Sequence, residues 1–188
     1  MRKYAPTLAA LVLALTAAAP VHAQKMSGMM VMVGGQDMSP RKNIVENAVN
    51  SADHTTLVAA VKAAGLVPTL ESKGPFTVFA PTNEAFAALP AGTVESLVKP
   101  ENKATLTKIL TYHVIAGNYT SAKLMEEIRE GHGSAQLATV QGEKLTFKMN
   151  GPRNIVVVDS KGNTASISTY DVTQSNGVIQ VIDRVLMP

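Results

Sequence analysis

The stretch from Gly74 to Phe86, GPFTVFAPTNEAF, combines a strand pattern, a proline and a helix start within a short span. In the segment FTVF, aromatic and β-branched side chains are interleaved, which is typical of a buried strand. Pro81 keeps the residue before it extended, and either Thr82 or Asn83 is suited to cap a helix that begins immediately afterwards. The stretch therefore predicts a strand that turns directly into a helix.

This junction lacks the groups that catalytic and phosphate-binding turns require. A nucleophile elbow places a serine or cysteine between glycines, and the turn from Ala80 to Asn83 has neither. A phosphate-binding loop presents backbone N–H groups from glycines, whereas Pro81 has no N–H and the turn contains no glycine. We therefore interpret the junction as a structural element.

The first 23 residues have the pattern of a secretory signal peptide. Arg2 and Lys3 precede an apolar run from Leu8 to Ala19, and the segment ending in Ala23 fits a cleavage site. The apolar run is shorter than the roughly 20 residues of a membrane span, and an uncleaved anchor is the alternative. We predict that residues 1–23 are a signal peptide. The mature protein is then expected to be secreted or periplasmic and to have no stable membrane span after cleavage.

The charge and the cysteine content of the mature chain limit which partners it can have and what stabilises it. The full chain has 17 basic and 14 acidic residues, and the predicted leader holds two of the basic ones, so the net charge falls from +3 to +1. This balance does not call for a nucleic-acid partner. Without cysteine the protein has no disulfides, so its stability must come from its core, which a chain of this size can bury as one domain. We expect a monomer.

The segment 24–42 is rich in methionine and glycine and has no sustained helical or strand period. We predict a flexible lead-in here. Its methionines also raise the hypothesis of an envelope metal-handling protein, because thioethers suit Cu(I). They are Met26, Met29, Met30, Met32 and Met38.

The rest of the chain separates into helical and strand-like halves. Helical spacing of apolar residues appears in NIVENAVNS, SADHTTLVAAVKAAG, GTVESLV, PENKATLTKILTYHV and TSAKLMEEIREG, with Ser121 as the expected cap of the last helix. Five strand-like runs follow, separated by turns that contain glycine: AQLATV, EKLTFKM, NIVVVDS, TASISTYDV and GVIQVIDRVLM. Helices that precede a series of strands predict the α+β class.

The polar residues suited to catalysis do not form a recognisable site. His54, His113 and His132 fall in different elements without metal-ligand spacing. His113 follows a tyrosine at the end of a helix among apolar residues, which predicts a buried ring bonded to backbone carbonyls. Asp171 and Asp183 lie in apolar strands and are expected to accept from backbone N–H groups. We therefore predict no catalytic residue, no metal site and no cofactor.

Three motifs in order resemble the fasciclin domain family over residues 43–188. FTVFAPTNEAFAAL is similar to the first family signature, LTYHVIAG to the central tyrosine–histidine motif, and NGVIQVIDRVLMP to the second signature. The resemblance implies a wedge of two packed β-sheets with a helical layer from the N-terminal half, and it places the two signatures on neighbouring central strands. It also implies secreted or surface-attached proteins that act by binding and have no enzymatic activity.

The resemblance also implies candidate binding residues. Some family members use a Tyr-His motif together with a downstream Asp-Ile in integrin contact. Tyr112 and His113 stand at the first position, and Asp171 and Val172 at the second, with valine in place of isoleucine. Gln180 stands where the family often has histidine. The apolar neighbours of these residues predict burial, so a purely structural role is the competing interpretation.

Taken together, the sequence predicts an exported binding protein without enzymatic activity that mediates cell adhesion or contact with a cell surface or matrix. Its expected partner is a protein or a surface or matrix component. Two alternatives stay open. One is a periplasmic protein that binds an apolar small molecule in a cleft between sheet and helices. The other is the metal-handling protein that would use the methionine-rich segment.

Overall fold

The computed structural model describes residues 30–188, so the predicted signal peptide lies outside the described residues. The domain is α+β, as predicted. In chain order its strands and helices are β1 (Val31–Val33), β2 (Gln36–Met38), α1 (Ile44–Ala48), α2 (Thr55–Ala64), α3 (Val67–Glu71), β3 (Phe76–Pro81), α4 (Asn83–Ala87), α5 (Thr93–Leu97), α6 (Lys103–Tyr112), β4 (Val114–Ala116), α7 (Ser121–Glu130), β5 (Ser134–Ala138), β6 (Lys144–Asn150), β7 (Asn154–Val158), β8 (Thr164–Gln174) and β9 (Gly177–Ile182). Single 3-10 turns lie at Ala52–His54 and Pro100–Asn102.

Seven strands form one mixed sheet in the order β4-β3-β9-β8-β7-β6-β5. The central pair, β3 and β9, is parallel, and the other neighbours are antiparallel. Strand β8 pairs with β7 through its first residues and with β9 through the rest, with register shifts between Ile167 and Val172. The sheet bends at this irregularity into two halves that share β8, which is the predicted wedge.

The central pair separates two hydrophobic cores. Val78 and Ala80 of β3 face the core beneath the N-terminal helices, together with Ile179 and Val181 of β9. Phe79 of β3 faces the interior of the wedge, where its ring lies 5.3 Å from that of Phe147. Both faces of the central strands are therefore buried, which explains why their sequences are apolar along their whole length.

The methionine-rich segment differs from the prediction where the structure describes it. Residues 31–38 form a hairpin, β1–β2, with a two-residue Gly34-Gly35 turn in which both φ angles are positive. Glycine adopts such angles without strain, and the resulting turn matches the twist of the paired strands. Val33 and Met38 are buried in the core, which fixes the hairpin to the domain. The segment is therefore not an unstructured lead-in over these residues.

The junction quoted above is a strand followed by a helix, and Thr82 is the cap. The Thr82 side chain accepts from the Ala85 N–H at 3.3 Å. Asn83 serves a different helix: its Oδ1 accepts from the Thr56 N–H at 3.0 Å, and its Nδ2 donates to the Ala52 carbonyl at 2.8 Å. Asn83 thus supplies the cap that the first turn of α2 lacks in its own sequence.

Asn176 connects three parts of the chain that are distant in sequence. Its Oδ1 accepts from the Ile44 N–H at the start of α1, while its Nδ2 donates to the carbonyls of Leu70 and Ser72 at the end of α3. The next residue, Gly177, is necessarily glycine, because a Cβ there would lie 2.0 Å from the Phe76 carbonyl oxygen. The turn before β9 therefore holds α1, α3 and β3 in place.

The replacement Asn83→Ala is expected to lower the free energy of unfolding by roughly 0.5–2 kcal/mol, since the Thr56 N–H loses its acceptor. Denaturant titration measures the loss. The control is Asn118→Ala at an exposed residue, which should leave stability unchanged. Equal stability of the Asn83 variant and wild type would show that solvent can replace the cap.

The replacement Asn176→Ala should cost more, roughly 2–4 kcal/mol, because it removes hydrogen bonds to three backbone groups, some of them buried. Chemical unfolding monitored by circular dichroism tests this expectation. The matched control is Asn154→Ala, which removes an exposed asparagine from the start of β7. A loss below about 0.5 kcal/mol at Asn176 would contradict the linking role.

Candidate functional site

Tyr112, the first residue of the predicted binding motif, is fully buried at the end of α6. Its hydroxyl donates to the Lys144 carbonyl at 3.3 Å and accepts from the Ser160 N–H at 2.9 Å. Burial raises the pKa of Tyr112, and the hydrogen bond from Ser160 partly opposes this effect. The side chain thus links α6 to the start of β6 and to the turn after β7.

His113 is buried and makes two hydrogen bonds to backbone groups. Its Nδ1–H donates to the Ile109 carbonyl at 2.8 Å, and its Nε2 accepts from the Leu186 N–H at 2.9 Å. An acceptor nitrogen cannot carry a proton, so the ring is neutral with the proton on Nδ1. Burial lowers the pKa of His113 to about 4, against smaller opposing effects of the Ile109 carbonyl and Asp159. His113 fastens the C-terminal segment to α6.

Asp171 lies in the irregular part of β8 with a positive φ of 56°. Its carboxylate accepts from the Ser121 N–H at 2.7 Å and from the Ser121 hydroxyl, at the start of α7. Gln180 is buried and bonds Asp171 twice, accepting from its N–H at 3.0 Å and donating to its carboxylate at 2.8 Å. Gln180 therefore orients the aspartate. The cap of α7 is Thr120 rather than the predicted Ser121.

The four predicted binding residues do not form one exposed site. Tyr112, His113 and Val172 are buried and Asp171 is half-buried. Tyr112 packs in the wedge interior, whereas Val172 packs in the core beneath the N-terminal helices. No hydrogen bond joins the Tyr112-His113 pair to Asp171 within residues 30–188. Each of these side chains is instead engaged in contacts within the domain.

A separate feature, which the sequence does not reveal, lies between the N-terminal helices and the central strands. It is a cavity of about 70 Å³ with an almost wholly apolar lining. Val33 and Met38 of the hairpin close one side of it, and β3 and β9 form another. His54 is one of the polar residues that line the cavity, and only 3% of its surface is exposed.

The His54 ring is only partly satisfied. Its Nδ1 lies 2.9 Å from the Ser51 hydroxyl oxygen. Among residues 30–188, its Nε2 is the sole buried side-chain nitrogen or oxygen without a hydrogen-bond partner. Burial lowers the pKa of His54, while the Ala80 carbonyl and the charge of Asp53 have smaller, opposing effects. Neither group forms a well-aligned hydrogen bond with Nε2. The ring is therefore neutral at neutral pH.

Within the described range, no group of three or more His, Cys, Asp or Glu side chains is placed to hold a metal ion. Of the methionines considered for Cu(I), Met38 is buried, whereas Met30 and Met32 are exposed. Met26 and Met29 lie outside the described residues. In the same range no helix has both the length and the apolar character needed to cross a membrane.

The buried neutral ring of His113 predicts a pH-dependent contribution to stability. The folded-state pKa lies below the usual 6.5, so the contribution is complete above pH 6.5 and is lost as the pH falls towards 4. The replacement His113→Ala should cost about 1–3 kcal/mol at pH 7. Over the range from pH 6.5 to 4, this difference should shrink by up to roughly 3 kcal/mol.

Urea unfolding of both proteins at several pH values measures this difference, and contributions from other groups cancel in it. His132 is exposed, and His132→Asn is the control because asparagine tolerates its positive φ. That variant should be as stable as wild type at pH 7. A constant cost of His113→Ala between pH 7 and 4 would mean that folding does not lower the pKa of His113.

Comparisons with known proteins agree with this architecture. The family model described as Fasciclin domain matches residues 52–188. The protein sll1483 of Synechocystis is 53% identical over 145 residues, which cover 77% of this chain and 73% of that protein. The cell surface glycolipoprotein MPB83 of Mycobacterium bovis is 37% identical over 161 residues, which cover 83% of this chain and 64% of that protein.

A similar solved structure is the FAS1 domain pair of the insect cell adhesion molecule Fasciclin I. It aligns with a TM-score of 0.70 and 19% identity, covering 78% of this chain and 51% of that chain. At this identity the likeness establishes the fold alone. The two signature segments occupy the central strands β3 and β9, as the resemblance implied. With the family match and the Synechocystis relative, these findings show that the chain belongs to the fasciclin domain family.

Proposed function

We propose that this protein is an exported binding protein without enzymatic activity, which mediates adhesion or contact at a cell surface or in a matrix. Its partner is a protein or a surface or matrix component. The observation that carries the proposal is that the side chains suited to chemistry near the family motifs are already engaged within the fold. Contact with the partner is then made by the exposed surface of the domain.

The engaged groups include both ring nitrogens of His113 and both carboxylate oxygens of Asp171. Asp159 is similarly occupied, since its carboxylate accepts from the backbone of Lys161, Asn163 and Met187. A general base or nucleophile needs a free lone pair beside a space for substrate. These groups have no such lone pair facing an open cleft, which favours a binding role.

Family relationship supports the proposed location. The similar protein MPB83 is a cell surface glycolipoprotein by name, and its matched part covers most of this chain. The predicted signal peptide, residues 1–23, is consistent with export. Both observations favour a site of action outside the cytoplasm, in the periplasm or beyond.

The burial of the tyrosine–histidine motif favours an indirect role for it. A partner could reach Tyr112 or His113 only after the C-terminal segment had moved, because Leu186 bonds directly to His113. We therefore propose that Tyr112, His113, Asp171 and Val172 hold the domain in shape and that other, exposed residues contact the partner.

Adhesion by the immobilised mature chain tests the function. Beads coated with the protein should retain envelope particles of the producing organism in a saturable manner, and soluble folded protein should compete. Heat-unfolded protein should not compete. Absence of saturable retention by the wild type would overturn the proposal.

The variant Tyr112→Phe tests the role of the motif. It should lower the free energy of unfolding by about 1–3 kcal/mol, since the partly buried N–H of Ser160 and carbonyl of Lys144 lose their partner. At a temperature where the variant is fully folded, its retention of particles should equal that of wild type. Reduced retention with unchanged stability would instead identify Tyr112 as a contact residue.

A further inference from the structure

We propose that the cavity between the N-terminal helices and the β3–β9 pair is a binding site for a small, uncharged and largely apolar molecule with one hydroxyl or carbonyl group, which bonds to His54 Nε2. This site is separate from the exposed surface considered above. The two functions do not depend on each other.

The cavity has the character of a ligand site rather than of a water-filled void. A buried water needs two to four polar partners, and this lining offers almost none beyond His54. Apolar cavities of this kind stay dry and accept apolar molecules. A volume of about 70 Å³ is roughly half that of an apolar cavity that binds benzene, so it gives room for about three or four heavy atoms. A very short hydrocarbon chain is of that size.

His54 supplies the polar specificity. Ser51 occupies Nδ1 and leaves Nε2 buried without a partner among the described residues. Since the ring is neutral, it suits a neutral hydroxyl or carbonyl, with the imidazole tautomer adjusting to donate or accept. A carboxylate would instead require a cation in the lining, and the lining's one lysine, Lys62, is exposed.

The surroundings of the cavity indicate how a ligand enters. The lining includes exposed side chains of Lys62, Thr69 and Val140, where the cavity meets the surface. On another side the wall is the short hairpin β1–β2, which is held by Val33 and Met38. Because Val33 and Met38 fix this hairpin to the domain, we expect entry at the exposed side rather than through the hairpin.

Two probes of equal length test the proposal with the full mature chain. They are 1-propanol and n-butane, which each have four heavy atoms but differ in the hydroxyl group. Methyl shifts in NMR spectra should titrate saturably at lining residues such as Val61 and Ile179, and the ¹⁵N shift of the His54 ring should change with propanol only. We expect propanol to bind roughly two- to tenfold more tightly, the value of one hydrogen bond.

Two variants assign the site. The replacement His54→Phe should abolish the preference for propanol over butane. Should that variant not fold, Ala48→Leu gives an independent test, because Ala48 lines the cavity and a larger side chain there fills it. Ala48→Leu should weaken both probes at least tenfold, whereas the control Ala59→Leu, on the exposed face of α2, should bind as wild type does.

The outcomes that overturn the proposal are specific. Absence of saturable shifts at the lining methyls, or equal binding by Ala48→Leu and wild type, would remove the cavity as a site. Equal affinity for the two probes would remove the role of His54. The affinity could instead continue to rise with the length of the alcohol, with no effect of His54→Phe. That result would indicate that the occupant is a lipid tail whose head group stays outside the cavity.

Discussion

The parallel pairing of β3 with β9 is the contact on which the rest of the domain depends. It joins residues about one hundred positions apart in the chain, from Phe76 opposite Gly177 to Pro81 opposite Ile182. Parallel strands are stable when both faces are covered, and here the N-terminal helices cover one face and the wedge covers the other. Because the pair closes such a long loop, its formation carries an entropy cost that the contacts of the covering elements must offset.

Polar side chains secure the edges of this arrangement. Asn176 fastens the turn before β9 to α1 and α3, His113 fastens the residues after β9 to α6, and Asn83 connects the end of β3 to α2. Each one satisfies backbone groups that a helix or strand end leaves without partners. In a chain without disulfides, such buried hydrogen bonds supply the directional specificity that a hydrophobic core alone does not.

Much of this fold was predictable from the sequence because local patterns determine it. The five strands of the second half follow from alternation and glycine turns, and the family motifs fixed the position of β3 and β9. The assignment of caps was less secure, since Thr82 and Asn83 are equally suited to capping and only the tertiary contact with Thr56 separates their roles.

Other features depend on packing that the sequence does not display. The β1–β2 hairpin was missed because its strands are three residues long and its methionines carry no strong strand signal. Burial of Val33 and Met38 stabilises it, which is a tertiary effect. The candidate binding residues were identified through the motif, and an aromatic and a histidine at a helix end give no direct sign of whether they face the partner or the core.

His54 illustrates how a structure can indicate function through an exception. Leaving a buried polar group without a partner costs about 1–3 kcal/mol, and elsewhere in residues 30–188 the domain avoids this cost for its buried side chains. A hydrophobic residue at position 54 would pack against the same apolar neighbours without it. A ring that bonds to Ser51 through Nδ1, lacks a partner at Nε2 and lines an apolar cavity is better explained by a molecule that completes its hydrogen bonds than by packing alone.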